Sequence, residues 1–363
     1  MDGFASWAKD LLVSRGALVE DESGEALGAM LPSALAKSLE AQEWLSLNFG
    51  AGPGRDDATE WLERFGRLLP AAPLVTSARS RRSSILRAVN AASVLDRELV
   101  IQNGIYRSPE ERQGIARYYI FQFPYTVESD ETSQGLCIAC INASVNSVVM
   151  QPDALLRHVR EEAEEETGAD CQDPEIARVF PVALGLARLE VHRMATGIEM
   201  NANRRLARDS ERIHSYYSDL LRQIGKRVTR HKGEPAAVAK EQSRAAATEL
   251  DRTAKLKDLE RKYALKIRIE PGDVLRISLP VREIEARLIR RKFERQARFH
   301  WNPVLGALES PWCEGCKGRA HPLFLCDDRA HFLCRDCQSP CTACGRQFCR
   351  ACRPTCKCGA GGR

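Results

Sequence analysis

CEGCKGRAHPLFLCDDRAHFLCRDCQSPCTACGRQFCRACRPTCKC, residues 313–358, holds eleven of the fourteen cysteines of a 363-residue chain. They fall in pairs: Cys313/Cys316, Cys326/His331, Cys334/Cys337, Cys341/Cys344, Cys349/Cys352 and Cys356/Cys358. A two-residue gap lets both thiolates of a Cys-x-x-Cys reach one tetrahedral ion at about 2.3 Å, often with a glycine after the second cysteine to relax the knuckle. Gly345 and Gly359 hold that place. Eleven cysteines and His331 make twelve ligands, which divide into three complete sites with nothing left over. The spacing therefore predicts about three structural zinc ions. His321 is the alternative twelfth ligand; His331, three residues before Cys334, keeps the pairs regular. Four thiolates also hold iron–sulfur clusters, but the histidine and the polar surroundings favour zinc. A catalytic zinc keeps an open position for water, and sites with four protein ligands have none.

Two wirings satisfy the count. In one, consecutive pairs share an ion, in keeping with an internal repeat in which Cys334, Cys337 and Cys341 recur fifteen positions later as Cys349, Cys352 and Cys356. In the other, the first four pairs interleave, Cys313/Cys316 with Cys334/Cys337 and Cys326/His331 with Cys341/Cys344. Read that way, C-x2-C-x9-C-x4-H-x2-C-x2-C-x3-C-x2-C resembles the cross-brace RING and treble-clef families. The resemblance implies a ubiquitin-ligase-type protein that holds a charged carrier protein, with Leu323, Phe324 and Pro340 lining an apolar groove.

Working outward, residues 267–305 read as a small β-meander: Leu265, Ile267 and Ile269 alternate, Gly272 turns, Leu275, Ile277 and Leu279 alternate again, and Arg290, Arg291 and Lys292 make a basic turn. Residues 186–266 read as a basic helical hairpin or coiled coil. Ile213, Tyr217, Leu220, Ile224 and Val228 form an apolar seam, Gly233 and Pro235 break it, and Ala246, Leu250, Leu256, Leu259 and Tyr263 form a second run. Residues 76–185 read as an α+β domain. Ala116–Val127 and Leu136–Ala143 predict antiparallel strands, with Pro124 at an edge or bulge, and Asp153 is an N-cap of a helix carrying the acidic run Glu161–Glu166 on a solvated face. Residues 1–75 read as a helical or small α/β region with apolar positions at Trp7, Leu11, Leu12, Leu31, Leu35 and Leu39. The fold expected is α+β and multidomain, with a helical or α+β N-terminal body, a long hairpin, a β-meander and a multi-zinc module at 306–363.

Charge separates along this plan. The chain carries a formal +5, yet residues 201–300 hold twenty-six Lys and Arg against fourteen Asp and Glu. No apolar run nears the roughly 20 residues that span a bilayer. Met1–Lys9 is mixed and acidic, unlike a secretory signal, so the expected location is the cytoplasm, where dense cysteines serve as metal ligands.

Other signals read as structural. Cys137 and Cys140 stand three apart on a strand, so they face opposite sides of the sheet, and Cys171 is a lone thiol. His158, His192, His214 and His231 have no carboxylate or nucleophile at a diagnostic spacing, and no nucleotide, metalloprotease or hydrolase motif is present. No catalytic residue and no organic cofactor is indicated. The reading is a non-catalytic zinc-stabilised interaction subunit with a protein partner, nucleic acid contacted through Arg290, Arg291, Lys292, Arg346 and Arg350, and a dimer through the hairpin. The order of basic coiled coil, β-unit and cysteine pairs over residues 190–363 resembles C-terminal regions associated with prokaryotic Swi/Snf-type helicases, which implies a motor partner. The competing readings are the RING-type ligase and a purely protein-binding dimeric scaffold.

Overall fold

Trp7, Leu11 and Leu12 lie on α1 (Asp2–Ser14), and the chain then turns through β1 (Leu18–Asp21) and β2 (Ala26–Met30), α2 (Ser33–Ser38), β3 (Trp44–Asn48) and α3 (Ala58–Gly66). The three strands form an antiparallel sheet in the order β1-β2-β3. The period of two is plain on β3, where Leu45 and Leu47 face inward between exposed Trp44, Ser46 and Asn48. Asp57 caps α3 by accepting from the Thr59 N–H at 2.8 Å. The region is thus an α/β unit with a core of Leu12, Leu39, Leu47, Phe49 and Phe65, each at most 1% exposed.

The computed structural model describes residues 2–21, 26–49, 56–69, 73–80, 88–165, 173–338, 340–341, 343–353, 356 and 358. Cys171 and Gly359 lie outside them. The chain forms two compact units, Met1–Pro73 and Leu74–Arg363. Among the described residues no helix is long and apolar enough to cross a membrane.

The second unit contains β4 (Val75–Ser80), α4 (Ala91–Glu98), β5 (Ile105–Glu128), β6 (Thr132–Asn142), β7 (Ser147–Val149), α5 (Pro152–Glu162), β8 (Ala163–Glu165), α6 (Pro174–Arg230), α7 (Pro235–Tyr263), β9 (Lys266–Ile269), β10 (Val274–Arg290), β11 (Phe293–Asn302) and β12 (Ala307–Glu309). Their sheet runs β12-β11-β10-β5-β6-β7, with β4 parallel to the start of β10 and β9 on β5. The strands assigned to a separate meander at 267–305 are therefore part of one sheet with those of 76–185: β10 pairs with β5 from Val274↔Phe121 to Ile289↔Ile105.

Two local readings change. Pro124 is not at an edge, since β6 flanks it on one side; on the other it faces an irregularity, where the partner takes five steps from Ile269↔Tyr125 to Val274↔Phe121 against four on β5, a one-residue slip of the bulge kind. Its missing N–H sits at that slip, where Gly272 crosses so closely that a Cβ would lie 2.9 Å from the Gln122 carbonyl oxygen. The acidic run leaves the helix after Glu162, where α5 stops, and Ala163–Glu165 pairs with Ser80–Ala78 of β4; Glu166 lies outside the described residues.

Asp173 caps α6 by accepting from the Glu175 N–H, with Pro174 in the first helical position. The first part of α6 lies on the sheet through Val179, Ala183, Ala187, Val191 and Ala195, whose mostly small side chains bring the helix close to Tyr119, Phe121, Phe123 and Ile141. Cys137 belongs to this cluster and Cys140 to the cluster on the other face; burial raises both thiols above their ordinary range. Further along, α7 packs back on α6. Tyr263 donates to Asp209 at 2.7 Å and Tyr217 donates to Asp251, a register that makes the pair antiparallel. Tyr217 and Ile224 are buried in the seam, whereas Leu250 is 72% exposed and lies outside it.

Candidate metal centres

The cysteine region is held by the sheet. A two-stranded ladder, β13 (Phe324–Leu325) with β14 (Phe332–Leu333), packs with Ile284, Ala286, Leu288 and Phe299 of β10 and β11 in one cluster that also includes Cys313, Cys326, Cys337 and Cys349. Leu323, expected to line an apolar groove, is 1% exposed within this core.

The twelve donors stand in three groups of four, each with its ligand atoms within 4.8 Å of one another: Cys313, Cys316, Cys334 and Cys337; Cys326, His331, Cys349 and Cys352; Cys341, Cys344, Cys356 and Cys358. Each group could hold one metal ion. Consecutive pairing is overturned. The interleaved wiring holds for the first group alone, because Cys326/His331 meets Cys349/Cys352 and leaves Cys341/Cys344 to close with Cys356/Cys358. Spacing fixes which cysteines form a pair, and tertiary packing decides which pairs meet.

The separations test the fit. Four sulfurs at about 2.3 Å from one tetrahedral ion lie about 3.8 Å apart, and an imidazole nitrogen in the set lies about 3.6 Å from its sulfur neighbours. Sγ–Sγ separations are 3.7 Å for Cys316–Cys334, 3.9 Å for Cys326–Cys352, 3.5 Å for Cys341–Cys358 and 3.6 Å for Cys344–Cys356. His331 Nδ1 lies 3.6, 3.6 and 3.3 Å from the sulfurs of Cys326, Cys349 and Cys352. Its Nε2 is 4.0 Å from Glu314, which takes Arg295 and the Phe332 N–H. His321 is in none of the groups.

The backbone forms the knuckles. Gly345 has φ +68°, and Lys317, in the same place after Cys316, adopts φ +62° without being glycine. Backbone N–H groups of Arg329 and His331 point at the Cys326 sulfur and that of Cys352 at the Cys349 sulfur. Without metal, burial holds thiols in their protonated form: Cys316 is pushed up to about 11 and Cys349 to about 12. Cys341 is pulled down to about 7 by the N–H groups of Ala343 and Cys344. The first two groups each place buried members, Cys313 and Cys337, Cys326 and Cys349, in the cluster with β10 and β11, whereas the third, with Cys341 and Cys356 buried and Cys344 and Cys358 exposed, has none there.

Of the basic residues nominated for nucleic acid, two are paired with an acid of the cysteine region. Arg290 and Arg291 share Asp327 at 2.8 and 3.1 Å, and Arg290 also donates to the Asn103 carbonyl. Lys292, Arg346 and Arg350 are exposed. The scattered histidines are structural where contacts show their role: His158 Nε2 meets Ser80 Oγ at 2.8 Å in the interior, and His192 Nδ1 lies 2.7 Å from the Arg188 carbonyl oxygen.

A buried polar cluster had no motif to announce it. Glu309 accepts from Tyr118 Oη at 2.7 Å, from Asn302 Nδ2 at 3.1 Å and from Asn142 Nδ2, and Asn142 also meets His300 Nδ1 at 3.0 Å. Burial pushes Glu309 up to about 7 and, with Arg298 nearby, His300 down to about 4. Its only sequence signal is a lone acid among apolar neighbours in Leu308–Glu309. No family model matches the chain, and no curated protein matches its sequence.

Proposed function

We propose that the chain is a non-catalytic, zinc-stabilised interaction subunit of a nucleic-acid-associated assembly, with a protein partner of the helicase-motor class. The observation that carries it is that all twelve donors are used in three closed groups at tetrahedral spacing. Closed thiolate-rich sites suit zinc, contribute folding free energy and leave no position for a reacting water. All four donor atoms within 4.8 Å of one another also suit a single ion better than a cluster that spreads its thiolates over several irons. Exposed Arg329, Arg346 and Arg350 on the module favour an anionic partner.

The test is metal content by mass spectrometry on protein purified without added metal, then nucleic-acid binding at two salt concentrations on the same sample. Three zinc per chain with salt-sensitive binding is expected; three zinc with no binding at either concentration sinks the nucleic-acid reading.

The RING-type reading keeps one supporting observation, the interleaving of the first group with the second. Its test is discharge of a ubiquitin-charged carrier, where no acceleration over the carrier alone counts against it. A dimeric scaffold would need a new surface on the hairpin, since α7 covers the Tyr217 and Ile224 seam within one chain.

A further inference from the structure

The cations of the α6–α7 hairpin change character along its length. Near the sheet acids stand among them, nine Lys and Arg against seven Asp and Glu over residues 201–221 and 245–263, and several are paired: Arg205 holds Asp130 and Glu131 at the β5–β6 turn, Arg208 and Arg212 reach Asp209, and Arg252 pairs with Glu249. Beyond Asp209, α6 runs 21 further residues to Arg230, which at 1.5 Å per residue is about 32 Å. Over residues 222–244 there are seven Lys and Arg against two acids, an excess of five that equals the net charge of the whole chain. Arg222 pairs with Asp219, and Glu234 pairs with His231. Lys226, Arg227, Arg230, Lys232, Lys240 and Arg244 make no ion pair among the described residues.

We propose that this distal end is a contact for the phosphate backbone of nucleic acid, an inference that rests on the nucleic-acid-associated reading above and places its main contact on the hairpin rather than on the Arg290–Lys292 turn. Lys226 and Arg230 are four residues apart on α6, as are Lys240 and Arg244 on α7, so each helix presents a pair of cations about 5–6 Å apart at their Cβ atoms. Acids elsewhere on the chain do not neutralise them, because a Debye length of about 8 Å at physiological salt is short against the reach of the arm. A solvated helix face needs mixed charge alone; unpaired charge of one sign, held away from the body on a rigid support, is what a polyanion recognises without reading sequence.

The test uses the full chain with Lys226→Gln, Arg230→Gln and Lys240→Gln together, all exposed positions, and a control carrying Arg329→Gln, Arg346→Gln and Arg350→Gln. Helicity and metal content are checked first. Binding to a mixed-sequence DNA duplex and to its unpaired strand is measured between about 50 and 200 mM salt. The hairpin variant is expected to bind about tenfold or more weakly at the low-salt end and to lose about three units from the slope of log K against log salt, with the control less affected. If the wild type binds with salt dependence and the hairpin variant matches it, the hairpin is not the contact, although the wider reading stands. If the wild type does not bind either probe, both fall.

Discussion

Glu309 and His300 set opposite pH slopes on one cluster. Burial raises Glu309 to about 7, so the folded chain holds that proton more tightly than the unfolded one. Stability from this group is present below the unfolded value near 4.5 and is lost as pH rises through about 7, about 3 kcal/mol in all. His300, lowered to about 4, acts the other way: its ring is neutral in the fold, and stability is lost as pH falls from about 6.5 towards 4, again by about 3 kcal/mol. Between about 4.5 and 6.5 the two oppose each other. Glu309→Gln should therefore uncover the histidine slope: its Tm should fall, relative to wild type, as pH is lowered from 6.5 to 4.5. Melting curves of the two proteins across that range check it, and parallel profiles would show that Glu309 does not titrate there. None of this was legible in sequence, because a lone Glu on a three-residue strand looks solvated until Tyr118, Asn142 and Asn302 are brought to it from three other places in the chain.

At the scale of elements, the metal groups differ in what they hold up. Cys349 is 6% exposed and sits in the cluster of β10 and β11, whereas Cys344 is exposed and outside that cluster. Cys349→Ser and Cys344→Ser should each lower the metal count from three to two, but only the first should lower the melting temperature of the sheet by many degrees, since a structural site is folding free energy. Equal shifts from both variants would mean that the third group is as tied to the core as the second. The hairpin gives a second contrast. Ile224 is 1% exposed between α6 and α7, so Ile224→Asp buries a charge without a partner. It should reduce helicity by circular dichroism with all metal retained; an unchanged spectrum would mean that the seam does not depend on Ile224. Both elements were partly legible. The seam showed because its spacing is local, and the twelve donors showed because Cys-x-x-Cys is local. The wiring did not, since the same pairs can meet in several ways and long-range packing chooses among them.

For the whole molecule, the sequence suggested five regions and the chain forms two units. The alternation in Leu275, Ile277 and Leu279 was readable, but that β10 lies along β5, more than 150 residues earlier, is a tertiary fact with no local signal. The short strands of the first unit were masked for a related reason: Leu27 with Ala29, and Leu45 with Leu47, give too few alternations to compete with a helical reading. The division has an energetic consequence. The first unit closes on its own apolar cluster, from Ala8 to Phe65, and contains no cysteine. The second carries all twelve donors, with Cys313, Cys326, Cys337 and Cys349 inside the core that holds β10 and β11. Chelation should therefore expose backbone amides of β10, β11 and β14 to hydrogen exchange while those of β1, β2 and β3 stay protected, giving two cooperative units in one chain. Exchange read by mass spectrometry before and after metal removal decides it. Joint loss of protection in both units would show that the first leans on the second for its stability, against the self-contained packing of Leu12, Leu47 and Phe65.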